Sequence, residues 1–99
     1  MTNAVNKTPE VGAITLLQFY AAWCYPCKMM MPVIASIQRK KYDWLNVQQI
    51  DIDAQETVAD SYHVRAVPTF VALKDNKEVW RSSGVLPEHT LIETLSMLK

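Results

Sequence analysis

The chain has 99 residues, of which 49% are hydrophobic and 20% charged, and its ten basic and ten acidic side chains leave a formal net charge of zero. This length suits one domain with one hydrophobic core, and we expect that domain to cover residues 1–99. The balanced charge excludes the large basic field of a nucleic-acid-binding protein. Since no apolar stretch approaches the ~20 residues of a membrane span, we expect neither nucleic acid nor membrane as a partner.

The first segment, residues 1–12, is polar and turn-prone and predicts a lead-in or a short edge segment. It lacks the apolar core of a secretory signal. We therefore expect a cytoplasmic protein, in which closely spaced cysteines are more often catalytic than structural.

A strand and a helix are predicted on either side of the two cysteines. Ile14–Tyr20 is almost continuously apolar, as in strands covered on both faces. From Tyr25 to about Lys41, apolar residues recur at spacings of three and four, which predicts a helix. Pro32 lies inside that helix and predicts a kink.

The rest of the chain predicts five further elements, namely a strand at 45–53, a short helix at 55–62, strands at 69–73 and 78–83, and a last helix with Pro87 at its first position. The first three elements form a βαβ unit, which is expected to be right-handed with parallel strands. The last two strands are joined by the turn-forming pair Asp75-Asn76 and are expected to form an antiparallel hairpin. The order predicts a mixed sheet with helices on both faces.

Both cysteines of the chain lie in the segment Trp23-Cys24-Tyr25-Pro26-Cys27, between the first strand and the first helix. The N-terminus of a helix stabilises a thiolate through its N–H groups and its dipole. We expect Cys24 to be exposed at this end and Cys27 to lie one turn inside. Their spacing places both sulfurs on one face, where a disulfide can form reversibly.

Other roles for the cysteine pair are less well supported. A zinc site usually needs four ligands, and His63 and His89 lack paired ligand spacing, so no metal is expected. A structural disulfide around so short a loop would remove little entropy from the unfolded chain. Two unrelated buried cysteines stay open as an alternative to a redox-active dithiol.

Over about residues 14–98, these features together resemble the thioredoxin family. The matching features are FYAAWCYPCK at 19–28, Pro32, DID at 51–53, VRAVPTF at 64–70, and Gly84. The resemblance implies an α/β thioredoxin fold, with a mixed central sheet of about four strands flanked by helices. Because 13 residues before Ile14 cannot comfortably hold the family's usual first strand and helix, we expect an N-terminally trimmed version, in which the tail adds at most a short edge strand.

The resemblance also implies a function, a thiol–disulfide oxidoreductase that reduces protein disulfides. Cys24 would be the nucleophile and Cys27 the resolving thiol, with no cofactor beyond their disulfide. The expected partners are disulfide-containing proteins and a thioredoxin reductase or other dithiol donor, and we expect a monomer. The alternative is a thioredoxin-like binding module that clamps a partner protein with little turnover.

The resemblance further implies a docking surface beside the cysteines. A cis peptide bond would join Val67 to Pro68, and the backbone of Val67 would hydrogen-bond an extended substrate segment. The surface would be lined by Trp23, Tyr25, Pro26, Val67 and Gly84. For Trp23 and Val67 the alternative is ordinary half-buried packing.

Two departures from the family pattern concern proton handling and redox poise. Gln18 stands where the family usually has a buried aspartate, and Gln49 where it has a paired lysine. Such an amide pair can satisfy its own hydrogen bonds without burying charge, but neither amide can accept a proton from Cys27. Tyr25 replaces a usual glycine. We expect six residues to tune the dithiol, namely Trp23, Tyr25, Pro26, Lys28, Gln18 and Gln49.

Overall fold

The structure is a computed structural model that describes residues 13–99. Its elements are β1 (Ile14–Tyr20), α1 (Tyr25–Lys40), β2 (Leu45–Asp51), α2 (Glu56–Ser61), β3 (Thr69–Lys74), β4 (Lys77–Ser83) and α3 (Glu88–Ser96). The predicted lead-in or edge strand at 1–12 lies outside the described residues. No helix in residues 13–99 is long and apolar enough to cross a membrane.

The four strands form one mixed sheet in the order β2-β1-β3-β4. β1 pairs with β2 in parallel, whereas β1–β3 and β3–β4 are antiparallel. The mixed four-stranded sheet flanked by helices is therefore confirmed. Because β1 lies between two strands, six of its seven residues are buried, which explains its nearly continuous apolar sequence.

The two faces of β1 contribute to different parts of the core. Ile14 and Leu16 pack in a cluster with residues of α1 and α3, among them Met30, Ile34 and Leu91. The intervening Leu17 and Phe19 belong to a second cluster, which also contains Ala59 of α2. This alternation follows from the two-residue period of a strand, and it places Gln18 on the face of α1.

Several predicted element ends differ from the structure by one or two residues, and two of the differences have a clear physical cause. The second strand ends at Asp51 rather than at residue 53 because the Asp51 carboxylate accepts hydrogen bonds from the backbone N–H groups of Asp53 and Ala54, at 2.9 and 3.2 Å. Pro87 is the N-cap of α3 rather than its first residue, since its ψ of 151° is extended. α1 continues past Pro32 to Lys40, and the kink expected there stays a prediction.

Candidate functional site

The end of β1 and the start of α1 bring the two cysteines together. A turn after Tyr20 is closed by a 3.2 Å hydrogen bond from the Cys24 N–H to the Ala21 carbonyl. Cys24 and Cys27 are joined by a disulfide, with their Cα atoms 5.3 Å apart. They are therefore a bonded pair and not two unrelated buried cysteines.

Cys24 is the N-cap of α1, and its sulfur accepts a hydrogen bond from the Cys27 N–H at 3.2 Å. The first turn of α1 contains no acidic residue that would oppose a negative charge on this sulfur. Helix N–H groups and the helix dipole favour a thiolate at such a position. The site is therefore built to hold Cys24 as a nucleophile once the disulfide is reduced.

Cys24 is more enclosed than the sequence suggests. Cys24 is 5% exposed and Cys27 1%, so the prediction that Cys24 is exposed is wrong for the disulfide form. The reason is a small apolar cluster that encloses the pair, formed by Ala21 together with the partly buried Tyr20, Ile52 and Val67. Of the two cysteines, Cys24 is the more accessible to another molecule.

The segment before β3 lies beside Cys24. The Val67–Pro68 peptide bond is cis, and the Val67 carbonyl oxygen lies 3.5 Å from Cys24 Sγ. The Pro68 carbonyl accepts a 2.9 Å hydrogen bond from the Gly84 N–H, which ties this segment to the end of β4. The backbone around Val67 is thus held next to the sulfur, where an extended segment of another protein could pair with it.

The structure places Gly84 close to this segment for a conformational reason. Its φ is +98°, and a Cβ built on it would have no heavy atom within 4 Å. Glycine is therefore needed for the backbone angle, not to avoid a clash within the described residues.

Large aromatic side chains surround the disulfide on the surface. Trp23 is 69% exposed and Tyr25 72%, so the alternative of half-buried packing is wrong for Trp23, while Val67 is half-buried. Pro26 and Lys28 are also exposed. Trp23, Tyr25 and Pro26 thus offer an apolar surface around a buried disulfide.

Trp23 forms a side-chain hydrogen bond that the sequence did not predict. Its indole N–H donates to the Asp53 carboxylate at 2.9 Å, across 30 residues of sequence. Two more exposed apolar side chains were also missed, Met29 at 50% and Val85 at 46%. Met29 lies within α1, and Val85 lies in the connection between β4 and α3.

On the face of β1 that α1 covers, Gln18 is fully buried and pairs with Gln49 of β2. Gln49 Nε2 donates to Gln18 Oε1 at 2.9 Å and lies 3.5 Å from the Met31 sulfur. Gln18 Nε2 has no hydrogen-bond partner among residues 13–99, so the prediction that the amide pair satisfies its own hydrogen bonds is wrong. A buried unpaired donor costs about 1–3 kcal/mol.

Within the same part of the chain, no group of three or more His, Cys, Asp or Glu side chains is arranged to hold a metal ion. His63 and His89 are both exposed.

Comparison with known proteins gives one consistent family. A family model described as Thioredoxin matches residues 2–97. The chain is 36% identical over 80 residues to a chloroplastic thioredoxin Y of Oryza sativa subsp. japonica, covering 81% of this chain and 48% of that protein. It is also 36% identical over 83 residues to a thioredoxin of Bacillus subtilis, covering 84% of this chain and 80% of that one.

Solved structures agree with the sequence relatives. The X-ray structure of Fasciola hepatica thioredoxin superposes with a TM-score of 0.81 at 36% identity, covering 89% of this chain and 83% of the other. Thioredoxin NaTrxh from Nicotiana alata gives a TM-score of 0.80, also at 36% identity, and covers 92% of this chain and 77% of the other. The chain spans about half the length of the chloroplastic relatives it matches, at 46 to 48%, and about four-fifths of the bacterial ones, at 79 to 82%.

Proposed function

Because this chain belongs to the thioredoxin family and joins Cys24 to Cys27 in a disulfide, we propose that it reduces disulfide bonds in other proteins. Thiol–disulfide oxidoreductase chemistry is what both the family and the cysteine pair support. The observation that carries the proposal is the position of the pair, with Cys24 as the N-cap of α1 and Cys27 one turn inside. A binding module needs no such bond, and no observation favours that alternative.

The proposed reaction moves two electrons from the dithiol to the substrate. The Cys24 thiolate attacks one sulfur of the substrate disulfide, whose bond breaks, and the other substrate sulfur leaves as a thiolate that takes a proton from solvent. Cys27, as a thiolate, then attacks Cys24 Sγ and breaks the mixed disulfide. The second substrate thiol is released and the Cys24–Cys27 disulfide is formed.

The surface around Cys24 supports substrate binding in this reaction. An extended substrate segment that pairs with the backbone at Val67 would lie against a carbonyl only 3.5 Å from Cys24 Sγ. Trp23 and Tyr25 would pack against apolar side chains beside the substrate disulfide. Hydrogen bonds along the backbone do not depend on sequence, which suits an enzyme with several protein substrates.

Insulin reduction tests the activity. The unaltered protein, with dithiothreitol as electron donor, is expected to accelerate insulin precipitation. Cys24→Ser is expected to abolish the acceleration, and Ser96→Ala, an exchange remote from the disulfide, to leave it unchanged. Equal activity in Cys24→Ser would refute the proposed nucleophile.

A trapping experiment distinguishes turnover from clamping. Cys27→Ser lacks the resolving thiol, so substrates are expected to stay attached to Cys24 and to be released by reductant. Partners that stay bound in the Cys24→Ser, Cys27→Ser double variant would instead support the binding module.

The location, the oligomeric state and the electron donor of the protein are also proposed. We propose that the protein is a cytoplasmic monomer. We also propose that a thioredoxin reductase or another dithiol donor re-reduces its disulfide, because a protein reductant needs a continuous source of electrons. Fluorescent tagging in the source cells tests the location, and light scattering of the purified protein tests the monomer. Reduction of the Cys24–Cys27 disulfide by a purified thioredoxin reductase with its nicotinamide donor tests the electron source.

A further inference from the structure

The unpaired amide nitrogen of Gln18 is the one feature of the site that the proposed reaction leaves unexplained. The side chain is 0% exposed, and its Nε2 has no partner among the described residues. Buried polar groups are nearly always hydrogen-bonded, so a missing partner calls for a physical reason.

The orientation of this amide follows from its neighbours. The Met31 sulfur can only accept, so Gln49 must direct its Nε2 towards it, and the same Nε2 donates to Gln18. The Gln18 atom at that contact must therefore be Oε1. This leaves Gln18 Nε2, with its two N–H groups, directed away from β2.

The topology places this nitrogen on the face of the sheet that α1 covers. Gln18 follows Leu16 by two residues on the face of β1 that α1 covers, and its partner Gln49 contacts Met31 of α1. Met31 lies four residues after Cys27, so the two share a helix face about 6 Å apart at their Cβ atoms. Gln18 is thus linked through Gln49 to the turn of α1 that follows Cys27.

Few other groups could stabilise a charge on Cys27, which is only 1% exposed. The other buried polar side chains of residues 13–99 are Thr15, which lies on the opposite face of β1, and Thr69, whose hydroxyl is bonded to Ala66 and Ser83. The partly buried Tyr20 and the bonded Cys24 are the titratable groups packed around Cys27, and Lys28 is exposed. No buried carboxylate is found in the described part of the chain.

We propose that the free Nε2–H of Gln18 is a hydrogen-bond donor for the Cys27 thiolate, which it reaches directly or through one buried water. This inference rests on the proposed function, since it concerns the same dithiol. A disulfide sulfur is a weak acceptor and a thiolate a strong one, so the donor finds its partner only after reduction. Where the family usually has a proton acceptor, this chain would stabilise the charged product by donation instead.

The step concerned is the reopening of the disulfide. The thiolate of an external dithiol donor attacks Cys24 Sγ, a bond forms between these two sulfurs, and the Cys24–Cys27 bond breaks. Its electron pair goes to Cys27 Sγ, which leaves as a thiolate and takes a proton from solvent later. Hydrogen bonding to this leaving group lowers its pKa.

Gln18→Met tests the proposal, because it keeps an unbranched side chain and removes the donor. The pKa of Cys27 is read from its 13Cβ chemical shift, and the equilibrium with glutathione is measured from pH 6 to pH 11. Gln18→Met is expected to raise the pKa of Cys27 by about one unit. Above that pKa the equilibrium should shift about tenfold towards the disulfide, equivalent to about 30 mV. Well below it, little change is expected.

A merely structural role would give a different pattern. It would shift the glutathione equilibrium by the same factor at every pH and leave the pKa of Cys27 unchanged, and that result would overturn the proposal. Thr15→Val is the control, since it removes a buried polar group from the opposite face of the same strand. It is expected to leave the pKa of Cys27 unchanged.

A second measurement needs no variant. In the unaltered 15N-labelled protein, a Gln18 Nε2–H resonance should shift downfield as Cys27 ionises, and a resonance that does not titrate would contradict the donor. Neither experiment uses a protein substrate. A chain that fails to reduce insulin would therefore remove the proposed function without deciding the role of Gln18.

Discussion

Gly84 shows how one backbone angle supports the surface around the disulfide. Its φ of +98° is strained for any residue with a Cβ, while its N–H bonds the Pro68 carbonyl. Gly84→Ala is expected to destabilise the protein by about 1–2 kcal/mol, since the cost lies in the backbone and not in a clash. Urea unfolding measures this loss.

The neighbouring Val85 provides the control for this prediction. It is 46% exposed, so Val85→Ala is expected to stay within about 0.5 kcal/mol of the unaltered protein. A loss for Gly84→Ala that is as small as the one expected for Val85→Ala would show that the segment tolerates a Cβ at position 84.

At the scale of residues, the sequence predicts which side chains are reactive better than it predicts the contacts between distant side chains. Cys24 and Cys27 could be identified because their spacing and the helix start have direct chemical meaning. The hydrogen bond from Trp23 to Asp53 could not, because it joins residues 30 positions apart whose approach depends on the whole fold. The orphan nitrogen of Gln18 was missed for the same reason, since it depends on how Met31 orients Gln49.

At the scale of elements, α1 is linked to the segment after β4 by an unusual acceptor. The Leu86 N–H lies 3.4 Å from the sulfur of Met30, which is fully buried. Met30→Leu keeps the volume but leaves this N–H unpaired, so we expect a loss of about 1 kcal/mol and faster hydrogen exchange at Leu86. Met29→Leu, at a 50% exposed position, is the matched control and should change neither quantity.

An ion pair joins the end of α1 to the start of α3. Lys40 Nζ donates a hydrogen bond to Glu88 Oε2 at 2.6 Å, and this bond holds the pKa of Glu88 below the ordinary 4.5. The same hydrogen bond raises the pKa of Lys40 above 10.5. The pair therefore stabilises the fold between these limits, and its contribution falls as acid protonates Glu88 or as base deprotonates Lys40.

Lys40→Met tests this pH dependence. Because the pair is exposed, we expect a small decrease in Tm at pH 7 that shrinks as the pH is lowered and Glu88 becomes protonated. Arg39→Met is the control, since Arg39 shares the last turn of α1 but forms no ion pair among residues 13–99. A decrease of the same size at every pH would assign the effect of Lys40 to its aliphatic packing.

At the scale of the whole molecule, the disulfide lies outside the two main cores and shares only Ile52 with one of them. Cys24 and Cys27 belong to their own small cluster, and the larger clusters lie on either side of the sheet. Their bond closes a loop with a sequence separation of only three residues. By loop entropy alone, its reduction should cost about 2 kcal/mol of unfolding free energy, less than the 5–15 kcal/mol of a typical domain.

Unfolding in urea with and without dithiothreitol tests this expectation. On reduction, the urea concentration at half-unfolding should decrease modestly. The slope of unfolding free energy against urea concentration should stay nearly constant, because the same surface is exposed on unfolding. A much smaller slope of unfolding free energy against urea in the reduced protein would mean that the disulfide stabilises more of the fold than its own cluster. Cys24→Ser without reductant should match the reduced protein.

The order of elements made the fold predictable at this scale. A βαβ unit followed by a hairpin has few right-handed arrangements, so the mixed sheet followed from periodicity and connection length. The ends of β2 and α3 were harder, because the side chain of Asp51 and the ψ angle of Pro87 decide them. Periodicity describes the buried middle of an element, whereas its ends depend on single hydrogen bonds.

The cap of α1 has a consequence for how this molecule could be recognised. Helices are usually capped by oxygen, whose charge stays constant, whereas here the capping atom is the Cys24 sulfur. Each catalytic cycle would change the charge on that atom and with it the strength of its bond to the Cys27 N–H. The stability of the first helical turn would therefore differ between the reduced and the oxidised protein. A partner that contacts only the backbone of this turn could distinguish the two states.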